Sequence, residues 1–263
     1  GLQRAYRWLI YWLLEWRVSV FLKPGSFWSR TVRRLALAYL EETVTDPVLR
    51  QQLTPDYDPG CKRILVSDDY FQALQDDKAS LVVEPIASIE PRGIRTQDGQ
   101  LHPCDALVLA TGFRPFSFEE NLDLVNEEGL SLSESWKDRM EAHMTVTVPK
   151  FPNLYLMLGP NSGLGHNSII FMIEVQVRYI LQCLQAQARR KLSSLVPTSA
   201  AARQYNDDLQ KAMRTTVWAG SCQSWYKDST GHNHTLWPGS TVQYWWRLRR
   251  PKLVSEYSQD GKS

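Results

Sequence analysis

Residues 153–167, NLYLMLGPNSGLGHN, run from an apolar segment through Gly159, Gly163 and Gly165 directly into a long apolar pattern. Residues 154–158 read as a strand buried on both faces of an α/β sheet. A helix is expected over 168–190, with Ile169, Ile170, Ile173, Val177, Ile180, Leu181 and Leu184 at helical spacing. Glycines let a backbone approach a ligand closely. A helix that starts just after them aims free N–H groups and a positive dipole end at whatever lies above the sheet. The run Gly163-x-Gly165-x-x-Ser168 stops one residue short of a G-x-G-x-x-G dinucleotide turn, and no carboxylate stands near Gln185, where a ribose ligand is expected. The reading is therefore a close approach to a flat or anionic ligand such as a flavin. The plainer alternative is a tight strand-to-helix connection.

The rest of the chain bounds that reading. Its 263 residues are 43% hydrophobic, enough for a sizeable core in one or two domains. Lys+Arg 30 against Asp+Glu 28 leaves a formal charge of +2, which excludes a nucleic-acid-binding field. The 14 glycines build no complete G-x-G-x-x-G and no G-x-x-x-x-G-K-[ST], so no self-contained nucleotide fingerprint is encoded. Cys61, Cys104, Cys183 and Cys222 form no C-x-x-C pair, and read as thiols of a reducing cytosol instead of a disulfide scaffold.

Residues 1–53 read as helical. The segment 6–22 looks membrane-like, but its longest uncharged run, 8–14, is far below the ~20 apolar residues that cross a bilayer. Trp8, Trp12 and Trp16 recur every four residues and share one helix face. Core or inter-domain packing is the expected use of that face, and a membrane-interface helix is the alternative. A second helix is expected over 29–44 and a short one from Asp46-Pro47, followed by a loop over 54–60. Strands are expected at 63–67, 80–83, 86–90, 93–96 and 106–110, a helix at 68–75, and a hairpin turn at Asp98-Gly99. The acidic stretch 118–136 reads as a solvated excursion, and another helix is expected over 200–217.

Three further segments could carry chemistry. Asp105–Phe113 (DALVLATGF) ends a buried-strand pattern in small residues, as at the crevice where α/β proteins place ligands. Lys62 and Arg63 at a loop–strand junction suit a phosphate and a planar anion, or are solvated surface charge. The tail carries Ser224-Trp225-Tyr226 and the pair His232 and His234; two such histidines lack the further ligands that a metal site needs.

Taken in order, these segments resemble the flavin-containing monooxygenase superfamily, specifically Baeyer–Villiger monooxygenases of the phenylacetone and cyclohexanone monooxygenase type. The resemblance rests on Pro59-Gly60-Cys61-Lys62-Arg63, the strand from Asp105 to Ala110-Thr111-Gly112-Phe113, the 153–167 strand and loop, and Ser224-Trp225-Tyr226. It implies an α/β, partial two-dinucleotide-binding-domain flavoprotein using FAD and NADPH, which inserts one atom of O2 beside a ketone carbonyl. It further implies that Arg63 is the active-site arginine stabilising the negative peroxyflavin, as a permanent cation in a dry site would. Lys62 would contact the NADPH 2′-phosphate, and Trp225 would pack on the ribose–nicotinamide side. Thr111, Gly112 and Phe113 would lie where the NADPH and FAD domains meet, and Gly159, Asn161 and Ser162 would line the flavin.

The family's two glycine fingerprints and its F-x-G-x-x-x-H-x-x-x-W-P motif are absent, since Trp237-Pro238 is preceded by Asn233 where that pattern needs His. The resulting expectation is a carboxyl-terminal portion. Residues 1–115 would complete an NADPH-binding domain behind a helical segment, and residues 116–263 an FAD-binding domain and tail. A cytoplasmic location follows. An N- or S-oxygenating flavin monooxygenase and a non-catalytic remnant or binding module stand as alternatives.

Overall fold

The computed structural model describes residues 1–112, 124–220, 224–228 and 230–259, with the side chains of 17–22 and 259 left aside. The chain divides into two compact units. The first gathers Gly1–Arg33, Tyr57–Ile64 and Ser117–Ser263, and the second gathers Arg34–Asp56 and Leu65–Phe116. This grouping is not the pair of consecutive segments 1–115 and 116–263.

In the first unit, helix α1 (Leu2–Leu22) leads into the start of α2 (Phe27–Thr43). Beyond it lie the short α5 (Leu132–Ser135), the long α6 (Ile169–Arg190), α7 (Ser199–Met213), a 3-10 turn at Val217–Ala219, and α8 (Thr241–Leu248). The short strands β4 (Leu195–Pro197) and β5 (Tyr257–Gln259) pair antiparallel. Local chemistry sets several ends. Ser131 and Glu134 form a capping box on α5, Ser240 and Gln243 another on α8, and Lys191 closes α6 in the left-handed conformation. The core gathers Val146, Met172, Val175, Tyr179, Cys183, Leu209, Leu236, Trp237, Tyr244 and Leu248.

The α6 helix begins and ends within a residue of the expected bounds, but the face it buries differs from the one expected. Met172, Val175, Gln176, Tyr179 and Cys183 are buried, whereas Ile170, Val177, Leu181 and Leu184 are exposed. The helix carries one polar stripe, Glu174, Arg178, Gln182 and Gln185, and its apolar surface is wider than the face it buries, so periodicity does not single out the inner residues. Gln176 marks that face by hydrogen bonding: its Oε1 accepts from Leu158 N–H at 3.0 Å, and its Nε2 donates to Thr145 Oγ1 at 3.1 Å. Among the described residues α6 is the one helix long and apolar enough to cross a bilayer by length and composition, a test that core helices also pass.

The tryptophan face of α1 is not core. Trp8, Trp12 and Trp16 are 64%, 43% and 48% exposed, and the residue turned inward is Glu15. Trp8 and Trp12 meet edge to face at 5.8 Å, and Trp16 meets Trp28 at 4.2 Å.

In the second unit, β1 (Ile86–Glu90), β2 (Gly93–Thr96) and β3 (Leu101–Pro103) form an antiparallel meander, with the expected turn around Asp98-Gly99. Asp46 caps α3 (Pro47–Leu53) by accepting from Val48 N–H, with Pro47 in the first turn as expected. The helix expected at 68–75 is the single turn α4 (Tyr70–Ala73). The strands expected at 63–67, 80–83, 106–110 and 154–158 do not form: none has a ladder among the described residues, and only Tyr155 of 154–158 makes an isolated bridge, to Thr147. Burial fails as well along 106–110, where Val108 and Leu109 are 86% and 70% exposed. A strand pattern becomes a strand only where a partner accepts its hydrogen bonds.

One segment has an unusual backbone. Met144, Thr145, Lys150, Asn153, Leu158 and Asn161 all take positive φ between 51° and 68°, so residues 144–161 advance by tight turns.

Candidate functional site

The glycine-bearing loop is the best-built feature of the first unit. Asn161, at φ 59°, donates its backbone N–H to His234 O at 2.6 Å and its Nδ2 to Asn233 O at 2.7 Å and Leu236 O at 3.1 Å. Asparagine is among the few residues that take this conformation at little cost. Ser162 Oγ donates to Gly159 O at 2.6 Å. Gly163 pairs with Leu236, donating to Thr235 O and accepting from Trp237 N–H, both at 2.8 Å. A Cβ at Gly159 would collide with the Thr145 carbonyl oxygen, and one at Gly163 with Thr235 O. These two glycines therefore serve close backbone packing.

This geometry divides the expected cofactor residues by role. Gly159, Asn161 and Ser162 come together, but all are buried and their side-chain donors are already used within the protein. They shape the loop. Its outward part is Gly165, Ser168, Ile169 and Ile170, all exposed, where Gly165 has open space around it and Ser168 makes no side-chain cap. The amino end of α6 thus presents backbone N–H groups without a competing hydroxyl, an environment that favours an anionic or polarised group.

The segment Tyr57–Ile64 supplies the cations. Trp218 Nε1 donates to Gly60 O at 2.9 Å, and Arg33 Nη1 to Tyr57 O at 3.1 Å, which fixes the segment's path. Lys62 and Arg63 are exposed beyond it, with Lys62 Nζ 4.5 Å from the centre of the Tyr57 ring. Burial raises the pKa of the Tyr226 phenol, and the charge of Arg63 draws it part of the way back. Trp225 is half exposed, and its ring lies 4.5 Å from that of Tyr226. Arg63, Trp225 and the glycine loop therefore share the first unit.

Thr111 and Gly112 belong to the second unit, where both are exposed and Gly112 takes φ 82°. Phe113 lies outside the described residues, as does Cys222. Cys61 is disulfide-bonded and buried, which corrects its reading as a thiol, whereas Cys104 and Cys183 are free. An open pocket of about 480 Å³ lined by Pro47, Arg50, Gln51, Thr54, Pro55 and Asp56 holds none of the expected residues.

The two histidines pack together in a hydrogen-bonded turn, their ring centres 4.5 Å apart. His234 faces Asp228 Oδ2 through Nε2 at 2.6 Å and Met140 O through Nδ1 at 3.2 Å. Burial alone would raise the Asp228 carboxyl, but hydrogen bonds from Thr230, His234 and the His232 N–H hold it down at about 2. Burial and neighbouring positive charge push His232 down to about 4. Among the described residues no group of three or more His, Cys, Asp or Glu side chains gathers to hold a metal.

Sequence reasoning passed over Glu15. It is 5% exposed, and its carboxylate accepts from Thr241 Oγ1 at 2.7 Å, Val242 N–H at 2.9 Å and Asn167 Nδ2 at 2.9 Å. The available signal was a lone acid inside an otherwise apolar and basic helix.

No family model matches the chain. A Baeyer–Villiger monooxygenase of Pseudomonas aeruginosa is 38% identical over 249 residues, covering 94% of this chain and 46% of that protein. One of Streptomyces coelicolor is 37% identical over 251 residues, covering 94% and 48%. Among solved structures, cyclohexanone monooxygenase from Rhodococcus sp. Phi1 bound to NADP+ superposes with a TM-score of 0.78 at 22% identity, covering 91% of this chain and 46% of that one. An OTEMO complex with FAD and NADP gives 0.78 at 20% identity, covering 88% and 44%. These superpositions show the fold, and the partial α/β architecture expected from the sequence agrees with them. The chain is thus Baeyer–Villiger-monooxygenase-like over nearly its whole length, and spans about half the length of the curated relatives it matches.

Proposed function

We propose that this chain is the carboxyl-terminal part of an FAD- and NADPH-dependent Baeyer–Villiger monooxygenase acting on a ketone and O2. The observation that carries the reading is the similarity to two such enzymes at 37–38% identity across 94% of the chain. The geometry supports it, because Arg63, Trp225 and the glycine loop belong to one compact unit. Residues 1–115 would then contribute to NADPH binding and 116–263 to FAD binding. The bonded Cys61 is the observation that weighs against a reducing compartment.

When bound, FAD supplies the redox and oxygen chemistry, and the protein supplies position and charge. In this reading the exposed amino end of α6 meets the flavin, with Gly159, Asn161 and Ser162 holding the loop's shape from beneath. Arg63 places a permanent cation where negative charge builds up during oxygen transfer, and does so more effectively as water is excluded. Lys62 takes the 2′-phosphate of NADPH as a point charge. The half-exposed Trp225 ring offers a flat apolar wall to the nicotinamide side. Thr111, Gly112 and Phe113 would stand at the junction of the two cofactor domains.

The test uses the longer protein that carries this chain. Arg63→Ala is expected to keep NADPH-driven bleaching of the flavin and to lose ester formation by at least about a hundredfold. Undiminished ester formation overturns the role of Arg63. Parallel assays with a ketone and a thioether decide whether the oxygen goes beside a carbonyl or onto sulfur.

A further inference from the structure

Glu15 is a charge that the proposed chemistry does not use. A carboxylate this deeply buried persists only where donors replace its water. Here the donors come from two places far away in sequence. Thr241 Oγ1 and the Val242 N–H belong to the first turn of α8, so the carboxylate sits as an anion at that helix's amino end. Asn167 Nδ2 belongs to the glycine-bearing loop, and His166 Nε2 of the same loop stands 3.9 Å away. Tyr11, one turn earlier on α1, shares a 2.7 Å hydrogen bond with the same Thr241 hydroxyl. Burial pushes the Glu15 carboxyl up, but the bonds from Val242, Thr241, Asn167 and Ser240 outweigh it and hold the group below its ordinary value.

The Asn167 amide has two ends, and Glu15 fixes which way round it stands. Its Nδ2 donates to Glu15, so its Oδ1 is free to accept from the Ser168 N–H at 2.8 Å, at the entry to α6. Since Ser168 provides no side-chain cap, the Asn167 amide is the side-chain group that orders the backbone there. We propose that Glu15 is a positioning residue for the cofactor-facing loop: from α1 its buried carboxylate orients the Asn167 amide, and through it the amino end of α6 that meets FAD. This rests on the flavin reading of the loop given above.

A glutamine at position 15 keeps the volume but must turn an NH2 towards groups that are themselves donors. In the longer protein, Glu15→Gln is expected to weaken FAD binding about tenfold and to shift the flavin's visible absorption bands. Asn167→Ala should do the same, and the double variant should be little worse than either single one, because both break one chain of contacts. Glu15→Asp should recover part of the affinity. Tyr11→Phe is the structural control: it loosens the same α1–α8 contact and lowers Tm, but should leave FAD affinity and spectrum unchanged. In the 263-residue chain without cofactor, Glu15→Gln should speed amide exchange at Ile169–Phe171, and Tyr11→Phe should not. If Glu15→Gln fails to fold, Asn167→Ala carries the same flavin test. FAD affinity and spectrum indifferent to both variants overturn this proposal alone, whereas a wild-type protein that binds no FAD overturns the flavin reading and this proposal with it.

Discussion

Two stretches share the same sequence grammar, an apolar run ending at glycine, and only one of them is built into its surroundings. Residues 154–163 lie in the first unit, and Asn161, Ser162 and Gly163 exchange hydrogen bonds with Gly159, Asn233, His234, Thr235, Leu236 and Trp237. Residues 105–112 lie in the second unit as exposed chain with no ladder among the described residues. Apolarity alone did not order either stretch. The difference is the supply of partners: the first meets a turn-rich segment, 233–237, that returns over it with its carbonyls and N–H groups facing inward. Buried backbone must find partners, and the chain that supplies them decides which apolar run becomes structure.

The sharpest way to break this comparison is at its two glycines. Gly159→Ala drives a methyl group into the Thr145 carbonyl and should cost about 3 kcal/mol, read by urea denaturation. Gly112→Ala meets open space and pays only for its positive φ, about 1 kcal/mol. Equal costs would end the distinction. A second pair tests burial. Val146→Ala, at a fully buried position, should cost about 2 kcal/mol, whereas Val108→Ala should stay within about 0.5 kcal/mol.

Acid offers a smaller effect that acts on the built stretch through its partner segment. Asp228 accepts from Thr230, His232 and His234, and so shapes the turn to which Asn161 is bonded. The folded-state value of Asp228 is depressed from 3.8 to about 2, so its stabilisation is present above 3.8 and is lost as the pH falls through about 2. That loss is about 1–2 kcal/mol after discounting for solvent screening. His232 is held neutral, depressed from 6.5 to about 4, so its own contribution is complete above 6.5 and falls away down to about 4. Denaturation midpoints measured from pH 7 to pH 2 should show two successive declines, and Asp228→Asn should remove the lower one.

What could be read from the chain beforehand was its local chemistry. The Asp46-Pro47 helix start, the Asp98-Gly99 turn and the extent of α6 all follow from residues close together in sequence. Glycine loop, cation pair and Trp225 were likewise singled out from the residues. What escaped is contact over long separation. The exposed tryptophan face of α1 and the inward Glu15 are set by α8 more than 220 positions later, as the Glu15–Thr241 bond shows. The inner face of α6 was hidden because the helix's apolar surface is wider than the face it buries, and the marker of that face, Gln176, is polar. Hydrophobic periodicity cannot find a buried amide whose value lies in two hydrogen bonds.

The run of left-handed residues between 144 and 161 has a consequence for how this protein can change over time. At Met144, Thr145, Lys150, Asn153, Leu158 and Asn161 the backbone itself ranks the side chains, before any packing is considered. Drift towards glycine or asparagine is downhill at these sites, and drift towards a β-branched residue is uphill by about 1–2 kcal/mol each time. Thr145 already stands on the uphill side, retained in a buried site where its hydroxyl bonds Tyr244 at 2.5 Å and Gln176 at 3.1 Å. The segment that supports the glycine loop is therefore also the one with the least freedom to absorb random substitution, and a laboratory library spread evenly over the chain should lose its folded members there first.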